Sequence, residues 1–325
     1  MSKKDTTYRN MVNDRASKQQ LISFTDLEPT PVAKEEKPTP KTDEDNDTWR
    51  MCFASFGSGS SGNCAYIGSE NAGVLIDAGT DHKQLFQNLA HNGIMPQMIK
   101  GIILTHDHAD HIRNAYKIVR EHKHMRVYCT PKLLGGMLRN HNVSNRIKDY
   151  HVAIFKEFPF KVAGMRLTPF DVSHDGTDNM GFMIEGGGNK FVIAPDMGTI
   201  TSRAEFYMKQ ANYLMIESNY DRHMLDNGHY PEYLKNRVRS IKGHLDNRVT
   251  AEFVSEKYSE QLKYVFLSHL SNDNNTPALA WETVAEALRS KGLTVGDGSN
   301  AVDQRNCDIQ LYALPRYDMS TWFVL

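Results

Sequence analysis

Apolar residues along this chain fall into short runs separated by polar turns, and the lengths of those runs predict its elements. Residues 51–56 and 65–67 read as two strands joined by Gly57-Ser58-Gly59-Ser60-Ser61-Gly62-Asn63, a loop of residues that tolerate unusual backbone angles. Residues 73–77 and 101–104 read as further buried strands. Between them, Leu85, Phe86 and Leu89 recur at helical spacing within residues 81–92, and Ile112, Ala115, Tyr116 and Val119 mark the buried stripe of a second helix. Residues 127–130, 158–162, 165–172, 181–184, 191–194 and 213–216 add strands, mostly joined by tight turns. Helices are predicted at 231–242, 248–260 and 277–290, with strands at 263–267 and 308–313. Two runs of strands, each flanked by helices, predict an α/β (α+β) fold with a four-layer αββα sandwich.

The first part of the chain does not share this pattern. From Thr25 to Thr48 it carries Pro29, Pro31, Pro38 and Pro40 among Glu, Lys, Asp and Thr, with only Leu27, Val32 and Ala33 apolar. Residues 1–49 therefore read as a disordered tail and linker, and residues 50–325 as one catalytic domain. Deleting residues 1–48 is expected to leave catalysis intact. Within the tail, Gln19-Gln20-Leu21-Ile22-Ser23-Phe24 loosely resembles the peptides with which bacterial DNA enzymes bind the sliding clamp, so residues 19–24 nominate a clamp-like protein partner. A chance apolar cluster is the commoner origin of so short a pattern.

Composition narrows the classes. At 325 residues and 40% hydrophobic content the chain can fill a sizeable core. A net charge of −1 gives no global basic field, so any affinity for phosphates has to be local. Cys52, Cys64, Cys129 and Cys307 form no CxxC pair and read as scattered thiols suited to a reducing cytoplasm. No run approaches about 18 apolar residues, and the start of the chain lacks an apolar signal region. A cytoplasmic protein with no membrane span is the expectation.

The chemistry is concentrated in Thr105-His106-Asp107-His108-Ala109-Asp110-His111, directly after the apolar run 101–104. Side chains two apart in an extended segment point to the same side, so His106 and His108 can grip one ion together. As the chain turns into a helix, Asp110 and His111 swing toward a second. Imidazoles with a carboxylate suit zinc, manganese or iron, and no packing requirement places four such groups at the mouth of a strand.

With that HxHxDH pattern, the chain from about residue 51 onward resembles the metallo-β-lactamase-fold hydrolases. The resemblance implies further ligands: His174 as the third ligand of the first metal, Asp196 as the carboxylate bridging both ions, and His269 closing the second site. Ser58-Gly59-Ser60-Ser61-Gly62-Asn63-Cys64, Glu217-Ser218-Asn219, Gly243-His244-Leu245-Asp246-Asn247 and His269-Leu270-Ser271-Asn272-Asp273-Asn274-Asn275 are similar to the YycJ/WalJ group of bacterial metallo-hydrolases, described as metal-dependent exonucleases acting on DNA. The chain departs from the superfamily at Pro195, where Thr usually precedes the bridging Asp, which puts the geometry around Asp196 in question.

Two divalent ions, Zn²⁺ or Mn²⁺ with Fe also accommodated, would hold a bridging hydroxide and polarise a phosphoryl oxygen, so hydrolysis is the expected reaction. His106, His108 and His174 are assigned to the first metal, Asp110, His111 and His269 to the second, and Asp196 to both. Asp110 would also orient the nucleophile, and His244 is the candidate general acid, with a helix C-cap as its alternative role. Lys235, Arg237, Arg239, Lys242 and Arg248, against Glu232 and Asp246, form a local basic excess suited to phosphates or to a solvated helix face. Ser60, Asn63 and Asn219 are candidate substrate contacts. DNA is the expected substrate and partner. The alternatives are a small phosphodiester, a (thio)ester or lactone, or a non-catalytic binding module, but a module would be expected to have lost ligands. His111 stands where the HxHxDR lactamase subclass carries Arg.

Overall fold

The computed structural model describes residues 49–300 and 305–325. Residues 1–48 of the expected tail, with the clamp-like segment at residues 19–24, lie outside the described residues, and the domain begins one residue earlier than expected, at Trp49. Strands β1 (Cys52–Gly57), β2 (Cys64–Gly68), β3 (Gly73–Ile76), β4 (Ile99–Ile103), β5 (Arg126–Cys129) and β6 (His151–Ala153) form one sheet, closed at the β1 edge by β15 (Phe323–Val324). The second sheet runs in the order β13 (Val295–Gly296), β14 (Ile309–Ala313), β12 (Tyr264–Ser268), β11 (Tyr213–Glu217), β10 (Asn189–Ala194), β9 (Met180–Gly186), β8 (Met165–Asp171), β7 (Phe160–Val162).

Alternation within single strands explains the layering. In β10, Phe191 and Ile193 belong to the core between the sheets, while Val192 and Ala194 face the outer helices. β12 repeats this, with Tyr264 and Phe266 inward and Val265 and Leu267 outward. The rings of Phe53, Phe191 and Phe266 meet across the interface at centroid separations of 4.7–5.7 Å. Helices α1 (His82–His91), α3 (Ala115–Glu121) and α4 (Pro131–Asn140) bury apolar residues with the first sheet; α5 (Ser202–Met208), α8 (Asn247–Glu256) and α9 (Pro277–Ser290) do so with the second. The expected αββα sandwich is the fold. Trp49 packs against this core, with its ring close over Gly186.

Some expected elements are corrected. The strand predicted at 127–130 ends at Cys129, because the Thr130 hydroxyl accepts from the Leu133 amide and caps α4, with Pro131 in its first turn. The tight turns expected between residues 130 and 158 are instead α4, a 3-10 segment (Asn145–Tyr150) and β6. The helix expected at 231–242 is α7 (Glu232–Arg239), preceded by a short α6 (Arg222–Asn227), and it stops before Gly243, whose close approach to the Arg237 and Val238 carbonyls leaves no room for a Cβ. The four cysteines are free thiols, three buried and Cys307 half-buried. Among the described residues, no helix is long and apolar enough to cross a membrane.

Candidate metal centre

The chemistry collects where strands of both sheets end. His106 to Asp110 follow β4 and lead into the short helix α2 (Ala109–Ile112), which carries Asp110 and His111; His174 follows β8, Asp196 follows β10 and His269 follows β12. Among the described residues, all three groups of side chains spaced to hold a cation lie here: His106, His108, His174 and Asp196; Asp110, His111 and His269; and Asp196, Glu217, His244 and His269. Asp196 Oδ2 lies 3.9 Å from His106 Nε2, 3.6 Å from His111 Nε2, 3.7 Å from His174 Nε2 and 3.4 Å from His269 Nε2. Asp110 Oδ2 is 3.6 Å from both His111 Nε2 and His269 Nε2. The second Asp196 oxygen, with His106 Nε2 and His269 Nε2, is buried without a hydrogen-bond partner. Buried polar atoms left unpaired cost stability, and these three belong to residues of the groups spaced to hold a cation, Asp196 being shared between the group of His106 and one group of His269.

Each imidazole is oriented through its other nitrogen, as metal ligands are. His111 Nδ1 pairs with Asp77 Oδ2 at 2.7 Å, His174 Nδ1 with the Gly243 carbonyl at 2.9 Å and His269 Nδ1 with Glu217 Oε1 at 3.0 Å. His106 Nδ1 reaches Thr105 Oγ1 at 3.1 Å, and that hydroxyl in turn donates to Asp77 Oδ2. His108 Nε2 faces Asp175 Oδ1 at 3.2 Å, which leaves His108 Nδ1 beside His174 Nε2 at 3.3 Å. Asp107 points away from the cluster and accepts from the Thr177 amide and hydroxyl, fastening the loop after His174 to the motif. Asp77 and His269 both adopt positive φ, 61° and 53°, backbone conformations that β-carbon residues hold mainly where surrounding contacts impose them.

Electrostatics describe a site poised for positive charge. Burial and the neighbouring His111 push the His106 imidazole well below its ordinary range, and burial brings His174 to about 4. Burial alone would also lower His269, yet Asp196, Asp110 and Glu217 raise it to about 10. Burial opposes ionisation of Asp196, but His269, His111 and His106 hold its carboxyl well below the usual range. Where carboxylates surround the ring, as at His269, the protonated imidazole is favoured, and where burial dominates, as at His174, the neutral one is.

The structure brings the seven sequence-predicted ligands together and adds two residues that sequence reasoning left out. Asp77 closes the apolar run of β3 and accepts from the Thr105 amide as well as pairing with His111. Glu217 closes β11 in complete burial: Oε1 meets His244 Nδ1 at 2.6 Å and His269 Nδ1 at 3.0 Å, while Oε2 accepts from the Met197 and Leu245 amides. With both oxygens so engaged, Glu217 orients the histidines and has little capacity left to coordinate an ion. A carboxylate ending an otherwise apolar strand is the signal that could have found both. Despite Pro195, Asp196 reaches the centre, and the Met197 amide beyond it is held by Glu217.

The remaining candidates fall in different places. His244 sits within the cluster, its ring 5.1 Å from that of His174 and 5.2 Å from that of His269, beyond the end of α7 rather than as its cap. Asn63 Nδ2 lies 3.1 Å from Asp110 Oδ2 and 2.9 Å from His111 Nε2, and Asn219 Nδ2 donates to the His269 carbonyl at 2.7 Å, so both are turned onto candidate ligand residues. Ser60 is exposed at the tip of the β1–β2 loop. The expected basic patch is committed internally at three of its five positions, two of them to carboxylates. Lys235 donates to the Asp226 carbonyl, Arg239 pairs with Asp226 and Glu232, and Arg237 pairs with Asp175; Lys242 and Arg248 are exposed.

The family model of the β-lactamase superfamily domain matches residues 73–265. The chain is 32% identical over 246 residues to the exodeoxyribonuclease YycJ of Bacillus anthracis, a match covering 75% of this chain and 92% of that protein. It is 30% identical over 245 residues to the exodeoxyribonuclease WalJ of Streptococcus pneumoniae, covering 75% and 90%. Among solved structures, Zn²⁺-bound PqqB from Methylobacterium extorquens is similar in fold, with a TM-score of 0.58 at 17% identity over 82% of this chain and 98% of that one.

Proposed function

The chain belongs to the β-lactamase superfamily, and we propose that it is a dinuclear metal-dependent hydrolase that works as an exonuclease on DNA. The observation that carries the reading is Asp196 Oδ2 standing within 3.4–3.9 Å of four histidine Nε2 atoms, each ring fixed from behind. His106, His108, His174 and Asp196 would hold one ion, and Asp110, His111, His269 and Asp196 the other, with zinc or manganese suited to the donors and iron accommodated. Such ions, when bound, supply Lewis-acid polarisation of the phosphodiester and activation of the attacking water.

The protein's own groups do the rest. Asp110, its carboxyl ionised through His111 and His269 although burial opposes this, can orient the attacking water. With Nδ1 donating to Glu217 Oε1, His244 would act as general acid in its imidazolium form, giving the Nε2 proton to the departing oxygen and leaving the neutral ring. The sandwich supplies a rigid frame, since each ligand stands at or just beyond a strand end. DNA is favoured over a small phosphodiester, thioester or lactone by the two exodeoxyribonuclease relatives, each matched along 90% or more of its length.

The test is to incubate the purified full chain with end-labelled single- and double-stranded DNA, RNA and bis(p-nitrophenyl) phosphate under Mn²⁺ or Zn²⁺, beside His108→Ala. Stepwise shortening of DNA that disappears in His108→Ala is the expected result. Turnover of a thioester, lactone or β-lactam without any phosphodiester would overturn the nuclease reading, and equal activity in His108→Ala would overturn the ligand assignment.

A further inference from the structure

One loop away from the metal centre lies a half-open cavity of about 160 Å³ that the chemistry above does not use. The β1–β2 loop separates the two. Its inner face serves the centre: the Ser58 hydroxyl accepts from the His269 amide at 2.8 Å, and Asn63 reaches Asp110 and His111. Its outer face, at Ser61 and Gly62, lines the cavity together with Asp81 and Gln84 at the start of α1 and with Arg316 and Tyr317 from the C-terminal segment.

Arg316 is the unusual member. Its carbonyl accepts from the Ser58 amide, which ties the segment to the loop, and its side chain crosses Gly59, where an added Cβ would stand 3.0 Å from Arg316 Cγ. The guanidinium pairs with no carboxylate among the described residues, and its Nη1 is buried without a hydrogen-bond partner. Arg237 and Arg239, by contrast, are committed to carboxylates, Arg237 to Asp175 and Arg239 to Asp226 and Glu232. A guanidinium nitrogen buried without a partner is costly unless an anion completes it. Beside it, Tyr317 is 61% exposed, stacks under the guanidinium at 5.7 Å and shares its hydroxyl with Asn272 Oδ1, so the ring is held yet open on one face. Asp81 is the cavity's acid, but Oδ1 is occupied by the Lys83 and Gln84 amides as the cap of α1, which leaves the Arg316 end for an anion. On the far side of the loop, Arg113 donates to the Ser61 carbonyl, so the outer loop is flanked by two cations.

We propose that this cavity is a nucleotide subsite: Arg316 takes a phosphate of the substrate strand next to the one being cleaved, and Tyr317 stacks the adjoining base. The pairing of a free guanidinium with an open aromatic face is the usual chemistry of single-strand recognition, independent of sequence. The proposal rests on the nucleic-acid reading above and adds to it where, and with what, the strand is gripped outside the metal centre.

Fluorescence anisotropy of the metal-loaded full chain with a labelled single-stranded oligonucleotide blocked by phosphorothioate ends tests it, titrated with salt. Arg316→Ala is expected to weaken binding about tenfold and to flatten the slope of log K against log salt by about 0.7, the loss of one single-strand phosphate contact. Tyr317→Ala is expected to weaken binding about tenfold with the slope unchanged. Arg289→Ala, which removes a cation from α9 where Arg289 pairs with Glu282, controls for overall charge and should match the parent chain. Parent-like binding by both Arg316→Ala and Tyr317→Ala overturns the subsite, as does failure of the parent chain to bind. If DNA is shortened but both variants keep the parent KM and slope, the nuclease reading stands and the subsite falls. If the variants weaken binding as expected while DNA remains uncut, the subsite stands and the nuclease reading falls.

Discussion

Two buried carboxylates, Asp196 and Glu217, lie side by side in this centre, and their hydrogen bonds separate their roles. Asp196 leaves one oxygen unpaired and offers the other to four imidazoles, whereas Glu217 uses both oxygens on neighbouring N–H groups. Replacing Glu217 by Gln puts an amide donor against either the Met197 and Leu245 amides or the two imidazoles. The expected result is a ten- to hundredfold loss of kcat/KM with the circular dichroism spectrum retained, as for other groups that orient metal ligands; unchanged kinetics would contradict the positioning role. The HxHxDH cluster was legible in sequence because four donors at one strand mouth have no packing explanation. His174, Asp196 and His269 were legible only through their order behind it. Asp77 and Glu217 stayed hidden because an acid at the end of an apolar run looks locally like any strand terminus, and its burial is decided by residues up to 52 positions away.

Among the elements, strands were read more surely than helices, because alternation such as that of β10 and β12 survives in short segments. The central α4 was missed since Gly135-Gly136 reads as a breaker; Gly136 is needed there because a Cβ would strike Asp107 Oδ2 and Thr177 Oγ1. Helix α5 is too short to show a period, and β15 shorter still. The β1–β2 loop reads in sequence only as a turn of residues that tolerate unusual backbone angles, and its inner face braces His269. Ser58→Ala, which strips the His269 amide of its acceptor, is expected to cost about 1 kcal/mol in denaturant unfolding and to weaken metal retention. The turn before β7 is tied to α5 by Glu157, whose carboxyl the Arg203 guanidinium and the Tyr207 hydroxyl hold below the usual range. A lowered folded-state pKa contributes stability above the unfolded value of about 4.3 and loses it as pH falls further. The stability difference between the parent chain and Glu157→Gln should therefore be constant at pH 5–7 and shrink below about pH 4. A difference that grows in acid would contradict the assignment.

At the scale of the whole molecule, the centre exists only while the two sheets are docked, because His106 to His111 and Asp77 come from one sheet and His174, Asp196, Glu217 and His269 from the other. Phe53, Phe191 and Phe266 hold that interface, so Phe266→Ala is expected to lose about 3–5 kcal/mol in urea unfolding. Linkage runs in the other direction as well: cations that bind only the folded chain raise its stability by about 2.7 kcal/mol at a hundredfold excess over Kd, and chelation should lower Tm accordingly. The layered architecture was legible because two strand runs bordered by helices leave few alternatives, while the pairing of particular strand ends came from long-range packing that no local pattern records. If Asp196 joins two ion sites, the metal content of each chain depends on it. After reconstitution with Mn²⁺ or Zn²⁺ and desalting, elemental analysis should find two ions in the parent chain and fewer than one in Asp196→Ala. A parent chain holding one ion or none, or an Asp196→Ala chain that keeps both, would contradict the account.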